Sequence, residues 1–553
     1  MIASAPIGIP PRSVRANVLS WLRLALVLAA IGTVYFYRLD RPLLWADEAD
    51  TGNEARHVLH SGYPTAYDAR NVGMYENGAQ YSRNLLSRKI PWVQYYVGAA
   101  SLALFGDDAG GLRALFALIG LLSFFPIRAV LRSRIRHPDI LAALVLLAPQ
   151  VVLLQRNARY YSILIFLNAV LAWIFSDHSG KSRRRLGTSA LVFVLLFHTH
   201  PFAAACSALS LLLCCALCRR ELLGSYALAA GLGLLSWAVW LVALGPPLSR
   251  SAEAYSLIAS NFRLWCWTFA SGLRAVPIDF DAVGCVPTIL VMAGLAFASL
   301  RGRLVFRQLG RDPLVALILI SVLVQGVATA VLLGGETAAQ FAVLRYMPHL
   351  VVFAELASFI AIASAFGDGL PCVAVCAAAI ACNFGGLSYW AKPPSRPVPA
   401  SWLVPVYSEI FNPPESAWDP LFARLRGNAS PSNQDVVAIF PAWSQDMAIF
   451  YLGDRCLLPP VLEPPADIPG NAIRRAIGDP ATRRLFSRPE WIVDAFGMIK
   501  TTPKGYAVAG LFPSNQARPD ESARPELTRH GFRQPNAVAG IVLFQRQEPG
   551  RQE

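Results

Sequence analysis

Apolar runs too long for a soluble core dominate the first 390 residues. Segments 226–244, 313–333 and 348–365 are almost free of charge. About 20 such residues cross the hydrocarbon core of a bilayer as one helix. No water there can serve the backbone, so each segment must bond its own N–H and C=O groups. Only 15% of the 553 residues are charged and 55% are hydrophobic, where a soluble chain carries about 25% charge. The expected fold class is mainly α, a polytopic transmembrane helical bundle of about 11–13 spans.

Charge sets the expected orientation. The formal net charge is +14, from 49 Lys and Arg against 35 Asp and Glu. Much of the excess lies in short loops between apolar runs, where it marks the cytoplasmic side rather than a nucleic-acid partner. These loops hold Arg12 and Arg15, residues 128–136, 181–185, Arg219 with Arg220, and 301–311. Segment 91–105 is apolar but short, which places it at the outer interface. Spans are then expected at 20–37, 111–130, 139–155, 162–177, 187–199, 201–218, 223–244, 284–300, 313–334, 347–365 and 369–390. The first run, 21–36, is long for a cleaved signal peptide and reads as a retained span. The N-terminus is cytoplasmic in this reading. The excess of Arg over Lys suggests a GC-rich bacterial genome, and hence a multi-pass protein of a bacterial inner membrane.

Two regions follow. Residues 1–390 form the membrane domain, with a long first outer loop at 38–110. Residues 391–553 form a small soluble α/β domain on the periplasmic side. A Pro-rich linker at 392–399 opens it, β-like runs follow at 436–440, 491–493 and 541–544, and a helix is expected at 444–451. It shows no catalytic motif. Cys206, Cys214, Cys215, Cys218, Cys285, Cys372, Cys376 and Cys382 lie in apolar runs and read as small core residues.

Polar residues concentrate at the outer ends of the spans. The spacing predicts an amphipathic helix over 47–61, stopped by Gly62 and Pro64. Asp47, Asp50 and Glu54 share one of its faces. They could present carboxylates to a cavity, or simply complement the helix dipole, with Asp47 as the N-cap. Arg88 and Lys89 could hold a phosphate or touch lipid headgroups. The turn after the third span packs Arg156, Asn157, Arg159, Tyr160 and Tyr161 together, which is dense for a membrane anchor. His198 and His200 have no neighbouring acid or Cys to complete a metal site, so a hydrogen-bonding role is favoured. Arg345 and Tyr346 open the tenth span, and Glu355 lies within it. An intramembrane acid is costly, and so is a functional candidate.

In order, these motifs resemble the GT-C superfamily of membrane glycosyltransferases, in the branch of protein O-mannosyltransferases and the lipid A aminoarabinose transferase. The resemblance covers residues 20–365. It rests on Asp47-Glu48-Ala49 after the first span, Gly62, Lys89-x-Pro91, Arg156-x-x-Arg159-Tyr160, and Arg345-Tyr346. It implies a GT-C-like bundle that takes a polyprenyl-phosphate sugar as donor and works on the outer face. It makes Asp47 the acidic residue of the first loop that serves as base or positions the acceptor, with Glu48 beside it. It assigns the donor phosphate to Lys89, Arg88, Arg345 and Arg159, and the substrate to Tyr346, Tyr160, His200, Glu54 and Arg56. The family's Lys-Pro-Pro is here Lys89-Ile90-Pro91. The second outer loop reads Arg159-Tyr160-Tyr161-Ser162 and lacks the acid of the oligosaccharyltransferase branch, so no divalent metal is expected.

The chemistry is coherent. Cleavage of a sugar–phosphate bond passes through an oxocarbenium-like state. One carboxylate can deprotonate the attacking hydroxyl. A phosphate leaving group needs cations rather than a second acid, and inversion at the anomeric carbon is expected. The acceptor is an envelope glycan, lipid or protein. A lipid-linked-sugar flippase is the alternative, but transporters arrange paired halves around midplane sites, and here the charges mass at one face. A glycan ligase or polymerase would use the same donor. A scaffold explains none of the landmarks.

Overall fold

The computed structural model describes residues 14–73, 81–82, 84–176, 182–245, 312–333, 348–381, 407, 410–413, 416–428, 435–440, 444–459, 489–495, 499, 502–513 and 540–547. The expected span at 284–300, the linker at 392–399, and Arg345 and Tyr346 lie outside them. So do Cys285 and Cys382.

The chain is mainly helical. Helices α1 (Val14–Phe36), α2 (Ala46–Ser61), α3 (Val93–Phe105) and α4 (Ala109–Leu122) come first. After them follow α5 (Phe124–Arg132), α6 (Pro138–Leu146), α7 (Pro149–Gln155), α8 (Tyr161–Ser176) and α9 (Ser182–Phe197). The membrane region continues with α10 (Pro201–Cys218), α11 (Arg220–Leu244), α12 (Pro313–Leu333), α13 (His349–Phe366) and α14 (Leu370–Ala381). Among the described residues, Ala109–Arg132, Pro201–Cys218 and Arg220–Leu244 are each long and apolar enough to cross a bilayer. The 139–155 span is not one straight rod. It breaks into α6 and α7, bent by 69°. Pro149 causes the break, because a residue before proline is forced out of the helical region, and Ala148 sits at φ −61°, ψ 135°.

Lipid exposure is written on α11. Leu228, Leu232, Leu235, Val239 and Val242 recur at steps of four and three and stay exposed, while Tyr226, Ala229, Ala230 and Gly233 are buried. One helix face is therefore apolar and uncovered, as a lipid-facing surface must be. At Gly233 the backbone of α9 comes so close that a Cβ would stand 2.9 Å from the Phe193 carbonyl. Small residues permit this kind of approach between membrane helices. The protein is membrane-embedded.

The bundle end that carries the basic loops is tied by charge. Asp139, buried at the start of α6, takes Arg23 of α1 at 2.6 Å and Arg128 of α5. Arg134 holds Asp312, ahead of α12, at 2.6 Å. Cys206, Cys214, Cys215, Cys372 and Cys376 are buried free thiols, and Cys218 is exposed.

Beyond the bundle come α15 (Trp418–Asn428), β1 (Val437–Phe440), α16 (Gln445–Leu452), β2 (Trp491–Asp494), β3 (Tyr506–Pro513) and β4 (Gly540–Arg546). The four strands form one sheet in the order β1-β2-β4-β3. β1 and β2 are parallel and the other two pairings antiparallel. Parallel neighbours need a crossover, and α16 lies in the segment that joins them. This α/β unit does not stand apart: its α16 packs on α2.

Candidate active site

Helix α2 begins after Trp45, whose backbone is extended (φ −82°, ψ 169°), and ends at Gly62 in the left-handed region (φ 85°). Glycine is the residue that reaches that conformation without a Cβ clash. The expected boundaries hold to within one residue, but Asp47 lies inside the helix rather than capping it. Asp47, Glu48, Asp50 and Glu54 are each less than 5% exposed. A helix lying open on a membrane surface would not bury four acids. Here α3, α4 and α16 cover it.

Glu48 points away from the other three. Its Oε1 accepts from Arg113 Nε and from the Ala158 amide, both at 2.8 Å, and its Oε2 lies 2.5 Å from Arg113 Nη2. Arg113 also donates to the carbonyls of Leu39 (3.1 Å) and Pro42 (2.6 Å). This closed network ties α2 to α4, to the loop after α1 and to the turn before α8. The resemblance set Glu48 beside Asp47 in catalysis, whereas the geometry commits its carboxylate to Arg113.

The other face gathers cations. Lys89 Nζ reaches Asp50 Oδ2 at 3.0 Å. Arg159 lies 3.6 Å from Asp47 Oδ2 and 3.6 Å from Asp50 Oδ2. It also donates to the Asp47 carbonyl at 3.0 Å. Lys89 comes from the first outer loop and Arg159 from the α7–α8 turn. One turn on, Glu54 Oε2 faces His57 Nδ1 at 3.7 Å, too long for a hydrogen bond. Burial raises the Glu54 carboxyl above its ordinary range. For His57, burial works downward, but Glu54, with Asp68 and the Thr65 main chain adding, raises the imidazolium's pKa overall.

Asp446 completes the acid cluster from outside the membrane region. It lies in α16, is 5% exposed, and is coupled electrostatically to Asp50, Lys89 and Glu54. Burial, with Asp50 adding, pushes it well above the usual carboxylate range. Its main-chain carbonyl accepts from Asn53 Nδ2 at 2.8 Å. Gly52 allows this docking, since a Cβ there would stand 2.5 Å from the Phe450 ring. Asp446 and Asn53 were invisible as site residues in the sequence. The usable signal was a run expected to be helical, with one acid among apolar residues.

The remaining predicted residues divide. Arg56 joins elements: it pairs with Asp107 at 2.8 Å, donates to the Phe450 carbonyl at 2.7 Å, and covers the Phe450 ring. It was expected at the substrate and is instead taken up in docking α16. Arg88 parts from Lys89 and approaches the end of α11, its Nη1 3.4 Å from where a Gly245 Cβ would lie. Tyr160 is buried between Arg159 and His200, with ring centroids 4.7 Å apart in the second pair. His200 caps α10, its Nδ1 accepting from the Ala203 amide at 3.3 Å. Burial, with Arg159 adding, pushes it down to about 3, so it is a neutral ring at pH 7. Arg156 donates to the carbonyls of Val34, Tyr35 and Tyr37, which closes the C-terminal end of α1. Glu355 is fully buried in α13 with neither carboxyl oxygen hydrogen-bonded among the described residues.

Neither a protein-family model nor a curated protein sequence matches the chain. Solved structures do. The crystal structure of ArnT from Cupriavidus metallidurans bound to undecaprenyl phosphate is similar at a TM-score of 0.50 and 14% identity, over 87% of this chain and 93% of that one. The archaeal oligosaccharyltransferase AglB from Archaeoglobus fulgidus, in complex with an inhibitory peptide and a dolichol-phosphate, gives 0.48 at 13% identity, over 88% and 70%. At this level of identity the likeness concerns architecture. The chain therefore shares its overall fold with the ArnT structure.

Proposed function

We propose that the protein is a glycosyltransferase that moves a sugar from a polyprenyl-phosphate donor to an acceptor on the outer face of a bacterial inner membrane. One observation carries the reading. Lys89 and Arg159, from two separate segments, converge on the carboxylate face of α2 beside Asp47. The GT-C architecture, shared with an ArnT structure bound to undecaprenyl phosphate, favours the same donor.

In this reading the donor phosphate meets Lys89 and Arg159, and the family resemblance adds Arg345 as a further phosphate contact. Tyr160 and His200 pack beside Arg159. The acceptor hydroxyl oxygen attacks the anomeric carbon. The bond from that carbon to the phosphate oxygen breaks, and its electron pair leaves with the phosphate. Asp47 takes the hydroxyl proton. The two cations, Arg159 buried and Lys89 half-buried, stabilise the charge that develops on the leaving oxygen. No step requires a metal. A single catalytic base and attack from the side opposite the phosphate give inversion.

The test is transfer in reconstituted lipid. Purified protein is offered a panel of radiolabelled polyprenyl-phosphate sugars with crude envelope acceptors, wild type beside Asp47→Asn. Wild type is expected to transfer label from at least one donor, and the variant to be slower by about 10²–10⁴-fold with an unchanged melting profile. Full activity in Asp47→Asn removes Asp47 as the base. Label that crosses a sealed bilayer without transfer would replace the transferase with a flippase.

A further inference from the structure

We propose that Asp446, carried into the site by α16, binds the hydroxyl groups of the transferred sugar together with Glu54 and Asn53. The inference rests on the glycosyl-transfer reading and extends it to a sugar subsite built by the terminal α/β unit.

Three buried acceptor atoms lie where α16 meets α2. Asn53 Oδ1, Glu54 Oε2 and Asp446 Oδ2 have no hydrogen-bond partner among the described residues, Glu54 Oε2 facing His57 Nδ1 at 3.7 Å, and all three side chains are at most 6% exposed. Buried polar atoms are nearly always bonded. Three together call for an occupant that presents hydrogen-bond donors. The Asn53 amide is anchored, because its nitrogen donates to the Asp446 carbonyl at 2.8 Å, which fixes the spare oxygen in place. The Tyr95 hydroxyl, likewise unbonded among the described residues, is coupled to Asp50 and Glu54 and adds a group that can donate as well as accept.

The site is polarised. Lys89 and Arg159 occupy the side of Asp47 and Asp50. The spare acceptors occupy the side of Glu54 and Asp446. A sugar phosphate has the matching polarity, an anion at one end and a face of hydroxyls at the other. Neutral hydroxyls fit better than an ammonium group. Burial favours the protonated forms of both Glu54 and Asp446, and a protonated carboxyl both donates and accepts, as hydroxyls require.

The experiment is competition binding on the full-length protein in detergent. Radiolabelled undecaprenyl phosphate is displaced by the unlabelled lipid, or by undecaprenyl phosphates bearing a hexose, an N-acetylhexosamine or a pentose. Wild type, Asp446→Asn and Asp446→Ala are compared. Wild type is expected to prefer one sugar-bearing lipid about tenfold or more over the bare lipid. Asp446→Ala should erase that preference and leave bare-lipid affinity within about twofold. Asp446→Asn keeps the shape and one acceptor oxygen, so it should lose only part of the preference. It also carries the test if the Ala variant does not fold. A full preference in either variant overturns the subsite, as does an equal loss for bare and sugar-bearing lipids, the mark of a merely structural residue. Wild type that binds the bare lipid and gains nothing from any sugar overturns the subsite alone. Wild type that binds no undecaprenyl phosphate overturns the transferase reading and the subsite with it.

Discussion

Helix α2 carries buried acids on two faces, and the faces differ in how those acids are served. On one face Glu48 receives three hydrogen bonds, two from Arg113 and one from the Ala158 amide. Arg113 spends its remaining donors on loop carbonyls. On the other face Asp47 and Asp50 pair with two strong cations, Lys89 and Arg159, while Asn53, Glu54 and Asp446 each keep an oxygen with no hydrogen bond among the described residues. A buried charge with both oxygens hydrogen-bonded fixes structure. A buried group left short of partners costs stability, and such groups collect at functional sites. The same residue types, one helical step apart, thus do different jobs, and only the identity of the opposing residues tells which.

The largest effect expected from this contrast is on the Glu48 face. Glu48→Ala strands the Arg113 guanidinium in the interior, and breaking a buried pair in this way costs about 3–5 kcal/mol. The thermal midpoint in detergent should fall steeply, with activity lost in parallel. Asp47→Asn should do the reverse, keeping the midpoint and losing transfer. A Glu48→Ala protein that melts like wild type but does not transfer would move Glu48 into the chemistry and dissolve the distinction between the faces.

How much of this the sequence revealed follows from the range of the forces involved. The helix at α2, its Gly62 stop and the shared face of Asp47, Asp50 and Glu54 depend on neighbours within two turns, and periodicity shows them. The apolar runs likewise announce the membrane helices. Partners were hidden. Nothing local says that Arg113 will find Glu48, since 65 residues separate them. Asp446 is nearly 400 residues from Asn53, in a region that looked like a separate domain. The kink at Pro149 was legible in principle, but the apolar run across it concealed the break. Arg56 misled because its neighbours in sequence face the site while its own guanidinium reaches Phe450 and Asp107.

The acid-rich face also predicts a pH dependence. An unfolded Glu titrates near 4.5, and burial raises Glu54 above that. Between the two values the folded protein keeps a proton that the unfolded chain has released. Stability therefore falls as pH rises through that window and stays lower above it. His57 acts in the same direction, because its raised affinity for a proton stabilises the fold at low pH and that contribution fades as pH climbs past 6.5. Asp50, Asp446, Tyr81 and Tyr95 also face Glu54, and none of them reverses the sign. Glu54→Gln removes the penalty, worth about 1.4 kcal/mol for each unit of displacement. Melting curves from pH 4.5 to 8 should diverge in the variant's favour as pH rises. Parallel curves would mean that Glu54 is not displaced, and that the face is better served than its geometry indicates.

The smallest effect separates two kinds of contact between the α/β unit and the first loop. Arg41 reaches Asp419 at 3.0 Å, but both side chains remain substantially exposed. Water and salt screen such a pair, which is worth less than about 1 kcal/mol. The interior contact is different in kind: the Phe450 ring fills the space left open at Gly52, and the Tyr451 hydroxyl accepts from the Leu44 amide at 2.8 Å. Arg41→Ala should leave both melting and transfer nearly unchanged. If Asp446 belongs to the site, the interior contact alone must hold α16 in register. A large loss of transfer in Arg41→Ala, with melting preserved, would instead mean that the rim pair sets the position of α16.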